Sequence, residues 1–334
     1  MSVVVTGSNG FLGTALIERF LEQRQAGLVA FVRPGSNRTR LDALRARYPD
    51  SGLEIRTGTL ASPAEAARAI DGASVVYHLA ASLSGAPADM TLNTVVTSKH
   101  LLSAVLARPQ PPKVVLVSSF GVYEVAPLAR GTVIDERTPL ESHPERRDPY
   151  SQVKLRQEQL FWEARREHDY PLVVLRPGVI YGPHSAGLST RLGLQLPGLF
   201  LALGGSNRLP LSYVDNCADA LIVAAHQPHA VGQVYNVHDD ELPTCSEFLA
   251  MRNRQVGRLR SLPIPYPMLL LASSALERYH RYSRGQLPNI LTTYRTRTTW
   301  KGHRFDNSKL KSIGWSQRIS TPEGLRRTFR EHRR

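Results

Sequence analysis

The sequence predicts an α/β fold, a doubly wound parallel sheet with a smaller, mixed lobe toward the C-terminus, and three observations predict it. Short β-branched runs alternate with helical stretches from residue 2 to about 167, as expected of parallel strands returned by helices on the sheet faces. A glycine-rich turn at residues 7–13 joins the first run to the first helix. Beyond Pro183 the alternation breaks into chain crowded with Gly, Pro and Leu, which suits a second lobe better than more sheet.

Residues 2–5 read as a buried strand, and the turn Thr6-Gly7-Ser8-Asn9-Gly10-Phe11-Leu12-Gly13 leads into a helix at 14–23. Such a turn aims backbone N–H groups and the positive helix end at a diphosphate, and its glycines let a ligand approach the backbone. The spacing therefore points to a Rossmann-type sheet that binds a dinucleotide. Strands follow at 28–32, 53–57, 75–80 and 113–117, with helices at 63–70 and 95–107. Ligands of such sheets sit beyond the carboxyl ends of the strands, where the glycine turn, Arg33, Ala80, Ala81, Ser118 and Ser119 fall. At the end of the second strand stand Arg33 and Arg38, with no acid between Glu22 and Asp42. An acid there would take hydrogen bonds from ribose hydroxyls, whereas a guanidinium pairs with a 2′-phosphate, so NADP(H) is expected over NAD(H).

Composition excludes several classes. Apolar residues make up 42% and charged residues 21%, ordinary for a globular chain, and no low-complexity block suggests disorder, collagen or coiled coil. No apolar run approaches the ~18 residues a bilayer span needs, and the first residues lack a signal peptide's basic flank and apolar stretch, so a cytoplasmic location is expected. Cys217 and Cys245 are too few for a disulfide framework and read as core thiols. The net charge of +14 is uneven: residues 252–334 hold 19 basic against 4 acidic residues. That quarter would attract an anion, whether a phosphate-bearing substrate, a membrane face, an acidic protein or nucleic acid.

A second constellation carries the chemistry. Tyr150 and Lys154 open a helix running to about residue 167, and positions four apart share a helix face. An ammonium beside the phenol would lower its pKa from the usual ~10 and make it an acid/base near neutrality. Ser119, beyond the fifth strand, would donate a hydrogen bond to a substrate oxygen as charge develops on it during hydride transfer.

On these residues the chain resembles the extended short-chain dehydrogenases/reductases, the NAD(P)-dependent epimerase/dehydratase family, over nearly its whole length. Thr6 to Gly13 match TGxxGxxG, His78 to Ala81 match HLAA, Ser119 matches the serine ahead of a VY pair, and Tyr150 to Lys154 match YxxxK. Arg176, Pro177, Tyr181, Gly182 and Pro183 match RPxxxYGP, and Tyr213 to Ala220 match YVDNxAxA. The resemblance implies cofactor contacts at Gly7, Asn9, Gly10, Phe11, Leu12, Gly13, Arg33, Arg38, Thr59, Leu60, Ala80, Ala81, Ser118, Tyr150, Lys154, Pro177 and Val179. It implies substrate contacts at Ser82, Ser119, Phe120, Gly178, His184 and Arg191, a pocket mouth at 184–191, and Asn93 as the asparagine before the central helix. It also implies a dinucleotide-binding domain of 1–182 plus about 209–236, a substrate domain of about 183–208 plus 237–334, and a homodimer through the helix of Tyr150.

Two departures matter. Thr59 stands where the family shows an acid that meets the adenine, and Leu175-Arg176-Pro177-Gly178-Val179-Ile180 is similar to the hydroxysteroid dehydrogenase and ketone reductase side of the family. Other residues read as structural. His78 is expected as a packed core imidazole with no metal site, Asp215 as a helix cap, and Asp239-Asp240-Glu241 as a solvated turn. The apolar run from Met268 to Leu276, followed by Arg278, Tyr279, His280, Arg281, Tyr282 and Arg284, is expected as a core helix of the smaller lobe with a basic flank, in preference to a helix resting on a membrane. The leading functional reading is an NAD(P)-dependent ketone/alcohol reductase or dehydrogenase acting on a small molecule that is lipid-like or phosphate-bearing. The alternatives are a nucleotide-sugar epimerase/dehydratase that reduces its cofactor transiently, and a non-catalytic dinucleotide-binding or RNA-associated protein. Nucleic acid is not expected, because the Tyr/Lys pair is present and no aromatic stacking motif accompanies the basic residues.

Overall fold

A computed structural model describes residues 2–185, 188–283 and 291–331, so Arg284 and, at the expected pocket mouth, Ala186 and Gly187 lie outside the described residues. Seven runs, buried except for the edge strand β3, pair as one sheet: β1 (Val3–Thr6), β2 (Leu28–Val32), β3 (Glu54–Thr57), β4 (Val75–His78), β5 (Lys113–Val117), β6 (Leu172–Pro177) and β7 (Val234–Val237). Their order is β7-β6-β5-β4-β1-β2-β3, with every neighbouring pair parallel. Both faces of the other six are covered, which is why those strands read as largely apolar runs, whereas β3, at the edge, carries Glu54 and Arg56. Val3, Val5, Val115 and Val117 face a core shared with α1 (Phe11–Glu22), α2 (Thr39–Arg47) and, later in the chain, Val214–His226. Val4, Val114 and Leu116 face the opposite core, built with α3 (Pro63–Ala69), α4 (Thr97–Leu106) and α5 (Pro149–His168). The helix Val214–His226 is α6. Strand order reverses between β1 and β4, where such sheets open a crevice at their carboxyl ends.

The smaller lobe holds a three-stranded sheet, Gly193–Leu196 against Leu199–Ala202 and that strand against Ser261–Pro263, with α7 (Cys245–Gln255), α8 (Tyr266–Tyr282), α9 (Thr293–Trp300) and α10 (Thr321–Glu331). Tyr181, Leu192, Phe200, Leu211, Phe248 and Phe329 pack as its main core, while Leu310, Ile313 and Trp315 return to the core of the larger lobe. Among the described residues, no helix is long and apolar enough to cross a membrane.

Several expectations change. The first helix starts at Phe11 because Gly10, in extended conformation, stands at the cap with no side chain. The helix expected at 95–107 is entered through a wide turn, Leu92–Val96. Asp215 does not cap α6: Tyr213 holds that position and Asp215 lies in the first turn, 3.9 Å from Arg318. Asp239 is no solvated residue but fully buried, accepting hydrogen bonds from the Tyr213 amide, Asn216 and the Tyr181 hydroxyl, the last at 2.9 Å; burial pushes its carboxyl up to about 6. Nor is α8 a core helix, since only Leu269 and Ser273 of its residues are buried.

Candidate active site

One cleft of about 1050 Å³ opens between the carboxyl ends of β1 and β4 and extends into the smaller lobe. At its floor the backbone is shaped by glycine. Gly7 has φ +69° and a Cβ there would stand 2.9 Å from the Ala80 nitrogen, while a Cβ at Gly13 would stand 2.2 Å from the Gly7 oxygen. Only glycine lets the turn close this tightly against β4 and the start of α1. The first turn of α1 has neither a side-chain cap nor an acid, so its N–H groups and positive helix end are available to an anion. Asn9, Gly10, Phe11, Leu12 and Gly13 line the cleft here. The cradle fits the diphosphate of a dinucleotide.

Every residue expected at the cofactor lines the cleft except Arg38. Arg33 sits at its rim and donates to Asn93 Oδ1 at 3.1 Å, whereas Arg38 turns to Asp42 at 3.7 Å. Thr59 is held by an acid that the motif reading misses: Glu65, in the first turn of α3, accepts from its amide at 2.7 Å. Ser118 also lines the cleft, but its hydroxyl is committed to Glu158, which pairs with Arg176 inside the protein. Of the substrate residues, Ser82, Ser119, Gly178 and His184 line the cleft. His184 is held at φ +66° with its amide donating to Glu331 at 2.7 Å. Two do not reach it. Phe120 stacks on Phe305 with ring centroids 5.4 Å apart, in a separate apolar cluster with Tyr123, Val125 and Ile134. Arg191 is absent from the lining although its neighbours Thr190 and Leu192 are present, and the charges bearing on its guanidinium are those of Arg147, Asp148 and Cys245.

At the centre stand Ser119, Tyr150 and Lys154. Asp148 caps α5 by accepting from the Ser151 amide at 3.0 Å, which fixes the first turn and with it Tyr150. The expected lowering of the Tyr150 pKa is overturned. Burial raises it, a hydrogen bond from Ser119 opposes, and the Asp148 charge adds to the rise. The Lys154 amine is engaged elsewhere: Nζ donates to the Val117 carbonyl at 2.6 Å and to Gln157 Oε1, and burial lowers its pKa to about 7.

Behind the lysine runs a buried polar chain that no motif announces. Gln157 Nε2 donates to Ser98 Oγ at 2.7 Å, Ser98 meets His78 Nε2 at 2.8 Å, and His78 Nδ1 meets Thr6 Oγ1 at 2.8 Å. His78 is thus the packed imidazole expected of it, and burial together with the Lys154 charge lowers its pKa to about 3. The far end of the cleft differs: Leu188, Leu192, Leu209, Leu211, Phe248, Val256 and Phe329 make up most of its walls, with Ser185, Ser189, Thr190, Arg252 and Thr328 among them.

Comparison with known proteins places this arrangement. The model of the NAD dependent epimerase/dehydratase family matches residues 3–237. The chain is 27% identical to a 2-alkyl-3-oxoalkanoate reductase of Shewanella oneidensis, over 97% of this chain and 84% of that protein. It is 22% identical to the N-acetyl-alpha-D-glucosaminyl-diphospho-ditrans,octacis-undecaprenol 4-epimerase of Escherichia coli O157:H7, over 98% and 94%. In fold it is similar to the UDP-glucuronic acid 4-epimerase of Bacillus cereus solved with UDP-glucuronic acid and NAD, with a TM-score of 0.73, 18% identity and 99% of both chains covered. The chain belongs to the NAD-dependent epimerase/dehydratase family and is an NAD(P)-dependent enzyme of the extended short-chain dehydrogenase/reductase type.

Proposed function

We propose that the protein is an NADP(H)-dependent reductase or dehydrogenase that interconverts a ketone and an alcohol on a largely apolar substrate. The observation that carries this reading is the make-up of the far end of the cleft, where aliphatic and aromatic walls continue directly from the Ser119, Tyr150 and Lys154 cluster. Arg252 and a few hydroxyls could meet some polar groups of a sugar diphosphate, but the leucine and phenylalanine walls would leave others against hydrocarbon, each unpaired group costing about 1–3 kcal/mol. An alkyl chain gains by entering it. The Shewanella relative, named for reduction of a 3-oxoalkanoate carrying an alkyl branch, is of this kind.

In this reading the glycine turn and the start of α1 hold the diphosphate, and Arg33, at a strand end without an acid, holds a 2′-phosphate. The bound nicotinamide supplies or accepts hydride. Ser119 donates a hydrogen bond to the carbonyl oxygen, and Tyr150 delivers the proton to that oxygen in reduction or takes it in oxidation. Lys154, titrating near pH 7, stands one helical turn away and gives the phenol a proton source once it rotates from the Val117 carbonyl. The test is a matched assay of the purified chain with NADPH and a 2-alkyl-3-oxoalkanoate, or with UDP-glucose. Loss of NADPH absorbance with the oxo acid supports the reading; isomerised sugar with no net NADPH change replaces it with epimerase chemistry.

A further inference from the structure

α8 is fixed to the protein by one face and leaves the other bare. On the inner face Leu269 packs with Leu203 and Trp300, and Ser273 Oγ meets Thr296 Oγ1 at 2.6 Å. On the outer face Met268, Leu271, Ala275, Tyr279 and Tyr282 recur at spacings of three and four, one stripe of a helix. Leu271 is 73% exposed, Met268 60% and Tyr282 87%. Of the ten exposed large apolar side chains among the described residues, six lie between residues 262 and 282, with Leu262 on the adjoining strand. Scattered exposed leucines need no explanation, but a contiguous apolar stripe does.

We propose that this face docks in the plane of an anionic lipid bilayer. Charge selects that occupant. Residues 252–283 contain six arginines and one glutamate, and Arg254, Arg258, Arg260, Arg278 and Arg281 are exposed. The one acid is turned inward: Glu277 accepts from the Thr293 amide at 2.9 Å and from its hydroxyl. Two copies of such a face would set like charges against each other, whereas anionic headgroups would meet arginines, whose long stems can lie along apolar surface while the guanidinium stays with the headgroups. Tyr279 and Tyr282 suit the headgroup boundary. At 17 residues, with arginines in its last turns, the helix would lie on the membrane and not cross it.

The docking face also connects to the cleft. Trp300, which packs under Leu269, donates to the Thr190 carbonyl at 3.1 Å, and Thr190 lines the mouth. Docking would hold that mouth near a bilayer, from which an apolar substrate can enter. The docking itself does not depend on the reductase reading, and a vesicle assay reads it without turnover.

The experiment is co-sedimentation of the full chain with vesicles of phosphatidylcholine and of a phosphatidylcholine–phosphatidylglycerol mixture, at low and high salt. The chain is expected to bind the mixed vesicles, to be released by salt, and to lose about tenfold or more of its binding in Leu271→Glu combined with Tyr279→Glu. Val133→Glu, at an exposed apolar position elsewhere, should bind like the unaltered chain and controls for any general effect of an added acid. A chain that stays in solution with both vesicle types overturns the proposal. So does undiminished binding by the double variant, or a dimer in sedimentation velocity that Leu271→Glu splits, which would make a second copy the occupant.

Discussion

The two ends of the cleft are built by opposite physics. At the cofactor end, glycines without room for a Cβ and a chain of buried hydrogen bonds from Thr6 to Lys154 fix positions closely. At the substrate end, side chains from distant segments meet mainly through apolar contact, with few directional bonds such as those of Glu331 to His184 and Trp300 to Thr190. Directional groups specify a charged ligand and a proton path, while an apolar wall specifies size and polarity and tolerates change. The cofactor class is therefore tied to few residues, and substrate identity is spread over many.

The contrast is most easily broken at Tyr150. Replacing it with Phe should lower turnover by about 10²–10⁴-fold while dinucleotide binding, followed by fluorescence titration, stays unchanged; a fall in both would move Tyr150 from chemistry to cofactor positioning. The next effect is on stability. His78 has a folded pKa lowered to about 3 from an ordinary 6.5, so its contribution is fully present above pH 6.5 and is lost as pH falls toward 3, on the order of 5 kcal/mol in all. Asp239, raised to about 6, works the other way, losing its contribution as pH rises from about 4 to 6. Urea unfolding across this range should show a weaker acid dependence in His78→Gln than in the unaltered chain, and equal slopes would place the imidazole outside the network.

Smaller effects sharpen the comparison. Arg33→Asp should shift the NADPH/NADH preference in kcat/KM about tenfold toward NADH, and an unaltered ratio would remove Arg33 from the 2′-phosphate. At the apolar end, Leu188→Ser should raise KM for an alkyl ketone roughly fivefold with kcat nearly kept. An equal loss in kcat would show that the wall positions the reacting carbon as well as the tail.

Legibility follows the same division. Buried strands are readable to the residue, as 28–32 and 113–117 are, because both faces demand apolar side chains. The glycine turn and the Tyr150/Lys154 spacing are readable because local geometry carries their chemistry. Ser98, Gln157 and Glu65 are not, since each matters through a partner brought near only by the fold. Asp239 fails for a related reason: three acids in a row look solvated, yet a strand end drives the first of them under Tyr181 and Tyr213. Phe120 follows Ser119 and Arg191 follows Thr190, both of which do line the cleft, and sequence adjacency does not tell which side of the backbone a side chain takes.

The most direct measurement of the central claim uses NADPH carrying deuterium at both C4 positions of its nicotinamide, with a 2-alkyl-3-oxoalkanoate as substrate and mass spectrometry of the product. A net reductase leaves the deuterium on the carbinol carbon and one oxidised cofactor for each alcohol formed. Unlabelled product, or cofactor that ends as it began while a sugar nucleotide isomerises, would contradict it.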